Sequence, residues 1–342
     1  MNFIVLGAGA VGCYVGGRLA AAGETVTFVG RPRSIDALAT AGLHITDLDG
    51  FDARVAPAAL RLATSLEQSF DALGTLGPVA GKAPVLLLCV KGGGTDAAAR
   101  EIQAAYPGGI TVLSLQNGVD NAQRISAVAP RLQVIAGMVP YNVVQREPGQ
   151  VHRASSGRLR IGAHGASAAI AGVLCAAGLA TEVSNDMRAV QWGKLLLNLN
   201  NPINALSDLP LRAQLMQRDY RLVLAALQLE ALVALRAAGV APAQIATLPA
   251  QILPKVLRLP DWLFRRVAAR MLRIDTSARS SMWDDLQQGR STEIDDLCGA
   301  VLRLALAHGT SAPCNQAITG LVATHQKGRR WSGAELRQAL GV

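Results

Sequence analysis

Cysteine, lysine and aromatic side chains are all scarce in this chain, and each shortage narrows what it can be. Its five cysteines (Cys13, Cys89, Cys175, Cys298, Cys314) stand singly, with no Cys-x-x-Cys pair. That excludes a disulfide scaffold and a cysteine-rich zinc site. The five histidines are equally dispersed, so no metal is expected. Aromatics amount to 4%, which leaves the core to Ala, Leu and Val. No stretch offers the roughly 20 uncharged apolar residues of a membrane span. The uncharged opening, residues 1–17, has no basic region before it and is interrupted by four glycines, unlike a secretory signal. A cytoplasmic protein with no membrane partner is the expectation.

What is present is apolar and basic. Half of the 342 residues are hydrophobic and 17% are charged, enough apolar material for a sizeable core and too little charge for disorder. At roughly 150 residues per domain, the length fits two domains. The 34 glycines follow no period of three, which excludes collagen. The net charge is +9, yet of the 33 basic residues only Lys82, Lys91, Lys194, Lys255 and Lys327 are lysine, and the other 28 are arginine. The densest basic run, 255–273, alternates with apolar residues at helical spacing and reads as a solvated amphipathic helix. No nucleic-acid-binding signature accompanies it, so no nucleic-acid partner is expected.

Along the chain, residues 2–6 read as a buried strand, followed by a glycine-rich turn, an Ala-rich helix to residue 22 and a second β-branched strand at 25–29. Further strands are expected at 43–46, 85–90, 110–115 and 134–139. A hairpin or two short strands are expected over 151–161, and a helix over 166–177. From about residue 185 helical patterns dominate: 186–201, 211–238, 262–273, 276–289, 293–308 and 313–326. The polar tail from Lys327 is expected to fray. The reading is an α/β chain: a Rossmann-type doubly wound sheet over 1–185, then an all-α domain over 186–342.

Gly7-x-Gly9-x-x-Gly12 follows the first strand and opens the first helix. In that context it reads as a dinucleotide fingerprint, with Gly7, Ala8, Gly9, Ala10, Val11 and Gly12 at the phosphates. An NAD-selective site puts an acid at the end of the second strand. Here that end reads Phe28-Val-Gly-Arg31-Pro-Arg33, with no acid. Arg31 suits a 2′-phosphate, so NADP is expected over NAD. Two later strand ends run into Lys91-Gly-Gly-Gly94 and Gln116-Asn117-Gly118, where an α/β sheet places ligand contacts. Asn117-Gly118 also reads as a plain turn.

In the second half, Lys194, Asn198 and Asn201 (i, i+4, i+7) fall on one face of a Leu-rich helix. A buried Lys needs partners or deprotonates. The segment reads either as a polar network in a seam or as a cationic proton donor flanked by amides. Later, Ser280-Ser281-Met-Trp-Asp284-Asp285 precedes Ser291-Thr292-Glu293-Ile-Asp295-Asp296. Thr292 is expected to cap a helix beginning at Glu293, and a sharper reading pairs Glu293 with Lys194.

With these residues in view, the chain resembles the ketopantoate reductase (2-dehydropantoate 2-reductase) family from residue 2 to about 325. The resemblance rests on Gly-Ala-Gly-Ala-Val-Gly at the start, Arg31, Lys91, Leu-Gln-Asn-Gly at 115–118 and Pro-Gly near 148. It continues through Trp-Gly-Lys-Leu at 192–195, Ser-Ser-Met-x-x-Asp at 280–285 and Thr-Glu-Ile-Asp at 292–295. It implies NADPH-dependent reduction of 2-dehydropantoate to (R)-pantoate in pantothenate synthesis. Lys194 would be the proton donor, with Glu293 beside it and the cofactor. Asn198 and Ser281 would bind substrate, Asn117 would sit where nicotinamide and substrate meet, and Arg31 and Lys91 would contact NADP. The family's second Asn falls eight residues after the Lys, where this chain has Pro202, so Asn201 is taken in its place. The 239–262 loop is longer than the family needs. The partner expected is a small anionic 2-oxo acid, with a homodimer admitted. Two other readings stay open: a reductase of another 2-oxo acid or an opine-type imine, and a non-catalytic NADP(H) sensor.

Overall fold

The computed structural model describes residues 1–69, 84–269 and 278–342. The chain divides into two compact units, Met1–Gln116 with Asp120–Met187, and Asn117–Val119 with Arg188–Val342.

The first unit is an α/β layer structure. Among the described residues its strands are β1 (Asn2–Leu6), β2 (Thr25–Val29), β3 (Leu43–Asp47), β4 (Asp52–Val55), β5 (Arg61–Ala63), β6 (Val85–Leu88), β7 (Thr111–Ser114), β8 (Gln133–Met138), β9 (Val143–Glu147), β10 (Gln150–Arg153), β11 (Leu159–Gly162) and β12 (Thr181–Ser184). Eight form one sheet in the order β12-β11-β8-β7-β6-β1-β2-β5. Every pairing in it is parallel except β11 with β8. The central strands β1 and β6 are nearly unbroken apolar runs because both their faces are covered. Phe3, Val5, Val85 and Leu87 pack on one side, and Ile4, Leu6, Leu86 and Leu88 on the other.

The segment 151–161 is two short strands, not a hairpin. β10 pairs with β9 and β3 in a separate four-stranded sheet, β4-β3-β10-β9, while β11 joins the large sheet. An ionic cluster links this smaller sheet to the first helix, Ala10–Ala21. Asp47 on β3 pairs with Arg18 at 3.0 Å and Arg153 at 3.1 Å, and Arg153 Nε donates to the Tyr14 hydroxyl at 2.9 Å.

The second unit is helical. The expected helix 186–201 is two helices, Met187–Asn198 and Asn200–Ser207, with the break at Leu199. The expected helix 211–238 is likewise Leu211–Leu215 followed by Arg218–Ala237. The basic run is not one amphipathic helix but two short ones, Leu253–Leu257 and Asp261–Val267. Between them lies a fully buried arginine's binding ground. Arg221 donates to the carbonyls of Leu257, Leu215 and Leu259 at 3.1, 3.0 and 2.9 Å, pairs with Asp261 at 2.7 Å, and lies over the Phe264 ring. Arg270, Arg273, Lys82 and the junction of the expected helices 262–273 and 276–289 lie outside the described residues. Ser281–Gln287, Ile294–Ala307 and Pro313–Ala323 follow.

The tail does not fray. Gly333–Leu340 is a helix closed by a Ser332/Glu335 capping box, its Leu336 is fully buried, and Arg337 pairs with Asp219 on the long helix at 2.9 Å. Among the described residues no helix is long and apolar enough to cross a membrane.

Candidate active site

In the first unit, the three glycines of the opening loop behave differently, each for a steric reason. Gly7 has φ +109°, and a Cβ there would lie 2.7 Å from the Cys89 carbonyl carbon and 2.8 Å from the Val90 nitrogen. The loop therefore passes close against the exit of β6. At Gly12 a Cβ would run into the Gly7 carbonyl and sit 2.9 Å from Val5 Cγ1, so helix and strand can approach only without a side chain. Gly9 is exposed, with nothing within 4 Å of a Cβ position. It leaves open space directly before the helix Ala10–Ala21. That helix start has no side-chain cap and no acid in its first turn, so its N–H groups and positive dipole end are left for an anion. The loop fits a pyrophosphate. Ala8 is buried, and Ala10 and Val11 are half-buried along its edge.

β1 and β6 are neighbours from which the sheet runs in opposite directions, the switch point where α/β sheets bind ligands. Arg31 follows β2, exposed at the start of the helix Pro32–Ala41. Lys91 follows β6, exposed at the start of the Gly92–Gly94 turn. Burial pushes the Cys13 and Cys89 thiols up to about 12, so neither is a nucleophile near neutral pH.

In the second unit, the Asn117 side-chain amide donates to Glu293 Oε2 at 2.9 Å. Gly118 takes φ +104°, so Asn117-Gly118 is a turn whose Asn is also engaged. Glu293 occupies the N-cap of Ile294–Ala307 without capping it by its side chain, and the expected cap at Thr292 is absent. Lys194 and Asn198, one turn apart on Met187–Asn198, are both half-buried. Desolvation lowers the Lys194 pKa from 10.5 to about 8. Asn201 lies beyond the break, so the expected i, i+4, i+7 face does not run on through one helix. Its carbonyl accepts from the Ser280 hydroxyl at 3.2 Å. Ser281 is exposed in the first turn of Ser281–Gln287. Among the described residues no group of three or more His, Cys, Asp or Glu could hold a metal.

Two family models cover most of the chain: ketopantoate reductase PanE/ApbA over residues 3–166 and its C-terminal counterpart over 186–326. The chain belongs to the ketopantoate reductase family. A 2-dehydropantoate 2-reductase of Halobacterium salinarum is 28% identical over 96% of this chain and 99% of its own. A crystal structure of a PanE/ApbA family ketopantoate reductase from Ralstonia eutropha matches at 30% identity and a TM-score of 0.77, covering 94% of this chain and 97% of the other. A D-mandelate dehydrogenase solved with NADH and anilino(oxo)acetate shares the fold, with a TM-score of 0.75 at 20% identity over 100% of both chains. The Rossmann-type sheet followed by a helical C-terminal domain is the architecture of ketopantoate reductases, a family of oxidoreductases.

In this ketopantoate reductase family member, several polar residues around the candidate site escape sequence reasoning. Ser280, not Ser281, caps its helix, accepting from the Trp283 N–H at 3.2 Å. Its own N–H donates to Asn204 Oδ1 at 2.8 Å. Asn204 and Asn200 both donate to Gln214, which returns a bond to Asn200 at 2.7 Å. This buried amide network fixes the start of the Ser281 helix against Asn200–Ser207. Asp208, with φ +53°, accepts from Trp283 Nε1 at 2.7 Å and pairs with Arg279 and Arg330. A Ser before an acid-bearing apolar run is a legible cap signal. The amides had none, because their partners lie on separate helices.

Proposed function

We propose that this protein reduces 2-dehydropantoate to (R)-pantoate with NADPH, in the cytoplasm, as a step of pantothenate synthesis. In this reading residues 1–185 hold the cofactor and 186–342 carry the catalytic and substrate-binding groups. Bound NADPH supplies the hydride for the C2 carbonyl. Lys194 gives a proton to the oxygen on which negative charge builds, and water reprotonates it. Asn198, Asn201 and Ser281 donate hydrogen bonds to the substrate's carboxylate and hydroxyl groups. Asn117, held by Glu293, orients the reacting ends. Arg31 and Lys91 neutralise the phosphates of the cofactor.

The observation that carries this reading is Lys194. A lysine whose pKa falls to about 8 is still largely the ammonium at pH 7, yet it yields its proton far more readily than an exposed lysine. General acids work best with a pKa near the operating pH. The missing acid after β2, with Arg31 in its place, favours NADPH over NADH.

The test is NADPH and NADH oxidation with 2-dehydropantoate beside a panel of other 2-oxo acids. Preference for 2-dehydropantoate with NADPH supports the reading. Preference for another 2-oxo acid identifies a paralogous reductase, and tight NADPH binding without turnover on any acid identifies a sensor.

A further inference from the structure

The loop that carries Lys91 is made of three consecutive glycines, Gly92, Gly93 and Gly94. Such a segment has no side chains to pack and loses more conformational freedom on ordering than any other. Its order must be imposed from outside, and the structure shows by what. Gln116 is buried at the exit of β7. Its Nε2 donates to the Val90 carbonyl at 3.0 Å and to the Thr95 hydroxyl at 2.8 Å, while its Oε1 accepts from the Ser114 hydroxyl at 3.0 Å. The Thr95 hydroxyl in turn lies 2.8 Å from the Gly92 carbonyl and 2.9 Å from Asn121 Oδ1. Arg124 donates to the same Gly92 carbonyl at 3.2 Å and is itself held by Asp96 at 2.9 Å. Carbonyls on both sides of Lys91 are therefore anchored, and the anchors meet at one amide group.

We propose that Gln116 is a positioning residue that, through Val90 and Thr95, pre-orders the Lys91–Gly94 loop for the dinucleotide. Gln116 touches neither cofactor nor reacting atoms in this account. It removes the ordering cost that a tri-glycine loop otherwise charges against binding. The inference rests on the reading that this unit binds a nicotinamide dinucleotide.

The test uses the full chain and two readouts. The first is amide hydrogen exchange at 92–95 in the protein without cofactor, where the Gly94 N–H is bonded to the Lys91 carbonyl at 2.8 Å. The second is the directly measured Kd for NADPH and NADH. The isosteric Gln116→Met and Thr95→Val variants are expected to exchange faster at these amides. They are expected to bind NADPH about tenfold more weakly with kcat largely retained, as loss of one or two hydrogen bonds predicts. Thr95→Ser, which keeps the hydroxyl, is expected to stay near wild type. Gly94→Ala should partly restore affinity in Gln116→Met. Its backbone has φ −94°, and the new methyl would meet Val90 at an ordinary 3.7 Å. Stiffening a glycine of compatible geometry is worth about two- to fivefold. Unchanged exchange and unchanged Kd in Gln116→Met overturn the proposal, as does a Gln116→Met loss that appears only in Tm and is indifferent to Gly94→Ala. If the wild-type chain binds neither NADPH nor NADH, the functional reading fails and the loop's role fails with it. If wild type binds and the variants bind equally well, only the role of Gln116 fails.

Discussion

The side-chain amide of Asn117 donates to the carboxylate of Glu293 across 176 residues of chain. It ties the turn after β7 to the start of the helix Ile294–Ala307. This bond orients the Asn117 amide, with its Nδ2 facing Glu293. Hydrogen bonds to a charged group are worth about 1.5–3 kcal/mol. Glu293→Ala is therefore expected to lower kcat/KM about 10- to 100-fold, and Glu293→Gln, which keeps an acceptor, by less. In a double-mutant cycle, Asn117→Ala with Glu293→Ala should cost clearly less than the sum of the single changes. Additive losses would show that the two act separately.

The pH profile tests Lys194. Its folded pKa of about 8 lies below its ordinary 10.5. As proton donor it is competent only when protonated, so kcat/KM for reduction should fall as pH rises through about 8. Lys194→Ala should remove about 10²–10⁴-fold of the rate and abolish that limb of the profile. A limb unchanged in the variant would assign the titration to another group.

The same shift has a consequence for stability. The unfolded chain holds the Lys194 proton up to about pH 10.5, while the folded chain releases it near pH 8. Between these values the unfolded state binds more protons, so this group makes stability rise with pH. Below pH 8 the desolvated ammonium is a net cost. Lys194→Met is thus expected to lack this increment, with a flatter Tm against pH between 8 and 10 than wild type in thermal melts.

The glycine loop separates folding from binding. Gly9→Ala places a methyl in open space, so Tm should stay near wild type while the Kd for NADPH rises by more than about tenfold, since the backbone can no longer approach the pyrophosphate. Gly12→Ala drives its methyl into the Gly7 carbonyl and Val5. It should destabilise the fold by about 1–3 kcal/mol, read by chemical denaturation without cofactor. Equal effects of the two changes on Tm would contradict this division.

Arg31 is exposed after β2 and should contribute little to stability. Arg31→Glu puts a carboxylate where a 2′-phosphate is expected to lie. The ratio of kcat/KM for NADPH over NADH should then fall by about 10- to 100-fold, with Tm unchanged. A constant ratio would place the cofactor's 2′-position elsewhere.

Much of this was legible from local pattern. The strand–Gly7-x-Gly9-x-x-Gly12–helix order reads directly, because glycine's roles in it follow from backbone sterics. The change to helical texture near residue 185 reads from hydrophobic periodicity. Periodicity misled where the chain breaks within an apolar run. Residues 186–201 keep a helical spacing through Leu199, but the first helix ends there, and Asn200 and Asn201 open a new one. The local mark of the break is Pro202, which has no N–H to give the Asn198 carbonyl, and the new helix is then held by bonds from Gln214 to Asn200 and from the Ser280 hydroxyl to Asn201. The tail failed for a similar reason. Its polar composition hid a Ser332/Glu335 capping box and a contact surface for the long helix.

The sequence by itself determined the class of fold, the glycine turn between the first strand and helix and the residues that carry the family resemblance, because strands, glycine turns and helix faces are set by neighbours a few residues away. Only the tertiary structure decided which polar groups meet. Asn117 finds Glu293, Gln116 finds Val90 and Thr95, and Arg221 finds three carbonyls and Asp261. The physical reason is that a buried polar atom must be satisfied, and the partner that satisfies it is chosen by packing across the chain rather than by spacing along it.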